Sequence, residues 1–85
     1  MKIKKKKKYP ELNALKGLIR EKGTSYRKVS NEIGIAVNTL SDKINGFYPI
    51  NLEEVEKIAK VLSIPDSEIV KYFFPNMLRN ATKTA

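Results

Sequence analysis

Cysteine and histidine are both absent from the 85 residues. Without cysteine, neither a disulfide nor a thiolate metal site can supplement the core, and the absence is compatible with a reducing cytosol. Without histidine, the usual zinc sites, catalytic dyads and most general-base arrangements are missing, which argues against an enzyme. No apolar run approaches the ~18 residues of a membrane span, and the apolar core of a secretory signal is missing after the N-terminal lysines. No segment shows the alternation or β-branched density of a strand, and no internal repeat appears. The expectation is a soluble, cytoplasmic, all-α protein with no cofactor and no metal. At this length it holds one modest core, burying somewhat over ~60% of the surface its unfolded chain exposes.

Charge says more when partitioned than when summed. The formal net charge is +8, yet the stretch from Tyr9 to Asn76 carries as many acids as bases. The excess sits at the ends, on Lys2 and the run Lys4, Lys5, Lys6, Lys7 and Lys8, and on Arg79 and Lys83. A block of like charges repels itself and does not fold alone. Residues 1–9 therefore read as a disordered basic arm, 10–75 as the folded domain and 76–85 as a flexible tail. The high pI belongs to the ends and is no evidence of a basic face on the domain. Within the domain, Tyr9 to Ile50 is base-rich and Asn51 to Asn76 acid-rich.

What is present is helical periodicity. Leu12, Leu15 and Ile19, with Leu18 beside them, recur at three- and four-residue spacing after Pro10 until Gly23 ends the pattern. Asn51, followed three residues later by Glu54, resembles a capping box ahead of the stripe Val55, Ile58, Ala59 and Leu62. Ile64-Pro65 breaks that helix, and the acids Asp66 and Glu68 open a short last one through Ile69, Val70, Phe73 and Phe74.

The most informative stretch runs from Ser25 to Gly46. Ser25 fits an N-cap, and Val29 and Ile33 share one face behind it. Gly34 lets the chain turn abruptly, Ile35 gives the turn an apolar anchor, and Leu40 and Ile44 repeat the four-residue spacing until Gly46. With Leu40 and Ile44 turned inward, the outer face carries Asn38 and Asp42, flanked by Thr39, Ser41 and Asn45, with Val37 at the N-terminal end. Any surface helix has a polar outer face, so these residues taken singly read as solvated side chains. Asn and Thr are mediocre helix formers, however, and a binding role would explain their choice over Glu and Lys. Two short helices joined by a glycine turn are how a helix-turn-helix sets its second helix in the major groove, where Asn pairs with adenine, Asp accepts from cytosine and a Val methyl touches thymine.

Five short helices, the second and third forming that unit, resemble the lambda-repressor-like DNA-binding domain, the Cro and phage-repressor (XRE) family of regulators. The resemblance covers roughly Leu12 to Phe74 and rests on Ser25, Val29-Ser30, Gly34-Ile35 and Asn45-Gly46. It implies a compact five-helix bundle that binds an operator in double-stranded DNA as a small transcriptional regulator of prophage-repressor or Cro type. The recognition helix would be residues 37–45, with Val37, Asn38, Asp42 and Thr39 reading bases. Ser25, Tyr26, Arg27, Lys28, Ser41, Lys43, Phe47 and Tyr48 would meet phosphates, and the lysine arm would add contacts of its own. Tyr26 stands where relatives commonly have Gln, Ala36 where they usually have a capping Ser or Thr, and Asp42 where many have Arg or Gln. Relatives often bind two half-sites about one DNA turn apart, which implies a homodimer on an inverted repeat, with Tyr72 and Phe74 as its contact. Two alternatives stay open: a protein-interaction module such as an autoregulating antitoxin, and a non-specific nucleic-acid binder driven by the arm.

Overall fold

The computed structural model describes residues 7–77. Lys4, Lys5 and Lys6 of the basic arm, and the tail beyond Met77, lie outside the described residues. Within them the architecture is all-α. Five helices follow one another: α1 (Asn13–Glu21), α2 (Tyr26–Ile33), α3 (Val37–Ile44), α4 (Leu52–Leu62) and α5 (Ile69–Phe73), which is entered through a single 3-10 turn at Asp66–Glu68; residues 75–77 are helical as well.

The apolar stripes meet in one core. Leu15, Val29, Leu40, Ile44 and Ile58 are fully buried at its centre, with Leu12, Ile19, Ile33, Val55, Leu62, Ile64 and Phe73 around them. Of the three rings at the C-terminal end, Phe73 alone closes the core, while Tyr72 and Phe74 pack half-buried against it. α2 packs on α3 and on α4, and α1 packs on α3 and α5, so the α2–α3 pair is braced from behind by α1 and α4, with α5 seated behind α1.

Local chemistry explains the boundaries. Asn51 and Glu54 form the expected capping box, the Asn51 side chain accepting from the Glu54 N–H at 2.8 Å and the Glu54 carboxylate accepting from the Asn51 N–H at 3.0 Å. α1 starts at Asn13, later than Pro10 suggested, because the Leu12 N–H donates to the carbonyl of Ile44 at 2.9 Å and the incoming chain is committed to α3 before it can coil.

Candidate nucleic-acid interface

The first turn of α2 is held as its sequence requires. Ser25 is the N-cap, its hydroxyl accepting from the Lys28 N–H at 3.2 Å. Arg27 and Lys28 are exposed, whereas Tyr26 lays its ring against the core. One turn later Ser30 is buried, and its hydroxyl donates to the Arg27 carbonyl at 2.9 Å. Its buried polar atom is thus satisfied within its own turn. Gly34 then takes φ +81°, and the N–H groups of Gly34 and Ile35 both donate to the Ser30 carbonyl, closing α2 and starting the turn into α3.

α3 begins at Val37. Ala36 precedes it in extended conformation with no side-chain cap, a loss of about 1 kcal/mol relative to Ser or Thr. With Leu40 and Ile44 fully buried, Asn38 and Thr39 stand exposed at the N-terminal end and Val37 is half-buried beside them. Ser41, Asp42 and Asn45 are half-buried. The Asn45 amide donates to the carbonyl of Ser41 at 2.9 Å and to its hydroxyl at 3.2 Å, so these two side chains also close the end of the helix.

Lys43, expected to meet a phosphate, has a partner within the domain. Its ammonium is paired with the Glu54 carboxylate of α4, and the two side chains are only 15% and 11% exposed. Burial pushes the Glu54 carboxyl upward, but the Asn51 N–H, the bond and charge of Lys43 and the charge of Lys57 outweigh it and hold the group below its ordinary value.

The incoming segment crosses the C-terminal end of α3. The N–H groups of Lys8 and Tyr9 donate to the Gly46 carbonyl at 2.9 and 3.1 Å. The Lys7 ammonium lies 5.7 Å from the centroid of the Phe47 ring and pairs with Glu11 at 2.7 Å, while Lys16 takes the other Glu11 oxygen at 2.9 Å. Lys7 and Lys8, counted with the arm from sequence, are thus seated on the domain beside the α3–α4 loop. The bonds from Lys7 and Lys16, aided by both charges, lower the Glu11 carboxyl to about 2.

The profile of one family, the Cro/C1-type HTH DNA-binding domain, matches residues 14–75, well over half of the chain. The chain belongs to that family. No curated protein and no solved structure gives a significant match. As a Cro/C1-type domain it binds double-stranded DNA, and it is not an enzyme. Among the described residues no helix is long and apolar enough to cross a membrane.

Three parts of this Cro/C1-type site escaped sequence reasoning. They are the Lys43–Glu54 pair, the seat of Lys8 and Tyr9 on Gly46, and an apolar groove of about 250 Å³ flanked by Tyr9, Tyr48, Ile50, Phe74 and Met77. Each joins residues far apart in the chain, and none has a local spacing signal.

Proposed function

We propose that this domain is a small transcriptional regulator of repressor type that reads an inverted-repeat operator as a homodimer. The observation that carries the reading is the exposure of Asn38 and Thr39 at the N-terminal end of α3 while Leu40 and Ile44 anchor its back in the core. Asn38 is the adenine reader and Val37 touches a thymine methyl, so the half-site centres on A·T pairs, with Thr39 and Asp42 as neighbours. Ser25, Tyr26, Arg27, Lys28, Ser41 and the Phe47-Tyr48 loop set the register on phosphates, and the lysines ahead of Lys7 add salt-dependent attraction. The groove beside Phe74, with Tyr48 50% and Met77 58% exposed on its rim, supports pairing of two copies near the α3–α4 loop.

The same groove favours a second reading, a module that holds a different protein and touches DNA only to regulate itself. Binding-site selection from random duplex DNA at near-physiological salt separates the two. It is run with the full chain and with a variant in which Lys2, Lys4, Lys5 and Lys6 are glutamine. An inverted repeat recovered by both supports the operator reader with an auxiliary arm. If no motif emerges and binding vanishes with the lysines, α3 does not read sequence unaided.

A further inference from the structure

We infer that Glu54, through its ion pair with Lys43, is a positioning residue for DNA reading. It ties the last turn of α3 to the first turn of α4 and so sets how the base-reading face stands relative to the Phe47-Tyr48 loop. This rests on the reading of α3 proposed above. One carboxylate spans the junction. Its Oε1 accepts from the Asn51 N–H at 3.0 Å, at the start of α4, and its Oε2 accepts from the Lys43 ammonium, at the end of α3. The intervening segment is closed at both ends, and the Phe47 N–H adds a tie to the Asp42 carbonyl at 2.9 Å.

The cap alone does not require this arrangement. Glutamine at the same position closes a capping box equally well, without a charge and without a lysine eleven residues earlier. Nor does phosphate binding require it, since a lysine serving that end keeps its ammonium in solvent. A buried ion pair is weak evidence for stability, because desolvating both charges offsets much of their attraction, and its best-attested use is to fix a register. The register here lies between the helix that carries Asn38 and the helix that anchors the loop. With both side chains shielded, added salt screens the tie far less than it screens a surface pair.

The test uses full-length K43M, E54Q and K43M/E54Q, each checked for a cooperative unfolding transition. In E54Q the one carbonyl oxygen serves Asn51 and the amide NH₂ faces the lysine, so the tie is lost and the box kept. In the double variant methionine continues the course of the Lys43 stem along the apolar groove that Leu12 and Phe73 also line, which keeps a folded protein in hand. Two readouts need no preferred site: the salt dependence of binding to a random-sequence duplex pool, and the orientation of α3 relative to α4 from amide residual dipolar couplings of the free protein. We expect an unchanged salt slope in K43M and the same altered orientation in all three variants. Discrimination between the selected duplex and a scrambled one then falls about tenfold, the size of one lost base contact, in all three alike instead of additively. A K43M salt slope smaller by about 0.9 assigns Lys43 to a phosphate and overturns the inference. Wild-type helix orientation in E54Q overturns it as well. A selection that recovers no motif removes sequence reading by α3, and the couplings and the pool slope still decide whether Glu54 positions the helix.

Discussion

The carbonyl of Tyr9 occupies the space into which a side chain on Gly46 would project, closer than real Cβ atoms approach a backbone oxygen. Gly46 also sits at φ +91° and accepts the Lys8 and Tyr9 N–H groups on its own carbonyl. Steric room, backbone conformation and hydrogen bonding converge on this residue. Gly46→Ala is therefore expected to destabilise the domain by about 2 kcal/mol or more. Urea unfolding measures it, and a change within about 0.5 kcal/mol would mean that the incoming segment shifts aside freely.

Gly17 is the opposite case. It lies inside α1 with no positive φ, and nothing stands within 4 Å of the place a methyl group would take there. Glycine brings only the entropic disadvantage of a helix interior, so Gly17→Ala is expected to stabilise by about 0.5–1 kcal/mol. A thermal midpoint unmoved or lowered would show that α1 meets something at that face.

The contrast between these glycines shows which parts of the fold can be read from sequence. Ser25, Gly34 and the Asn51/Glu54 box act on chain neighbours within four or five residues, so their spacing alone announces them, as the four-residue repeat of Leu40 and Ile44 announces a buried face. Gly46 reads locally as a helix stop, but its meeting with Tyr9 depends on where the end of α3 comes to lie against the segment ahead of α1. The ends of the lysine run suffer the same limit: composition marks Lys4 to Lys8 as one block, whereas tertiary hydrogen bonds seat Lys8 on Gly46. Lys43 meets a related limit. On a helical wheel it borders the polar face, and only the placement of α4 reveals the carboxylate with which it pairs.

Glu11 supplies a pH signature. Its folded value, about 2, lies below the ordinary one of about 4.3, so its contribution to stability is present in full above the unfolded value and is lost as pH falls toward the folded one. Glu11→Gln lacks that titration. The stability gap between wild type and variant is expected to narrow from about pH 5 down to pH 2, and because the site is open to solvent, 0.5 M salt should shrink it at every pH. Chemical denaturation across this range checks both. A gap independent of pH would show that Lys7 and Lys16 do not engage the carboxylate in solution.

Asn38→Ala separates base reading from anchoring. Asn38 is exposed near the start of α3, and alanine is the better helix former, so the variant should fold at least as stably as wild type. Any loss of binding then belongs to the DNA contact. The expected loss is about 1–3 kcal/mol, confined to one A·T pair of each half-site, where the base preference relaxes. Arg27→Ala and Lys28→Ala should instead weaken all duplexes alike and reduce the salt slope by about 0.9 apiece, because a phosphate contact carries no sequence information and releases counterions. Competition binding against single-base operator variants at two salt concentrations reads both effects. If Asn38→Ala lowers affinity evenly while Arg27→Ala relaxes one position, the roles of the two helices are exchanged and α2 lies nearer the base edges than α3.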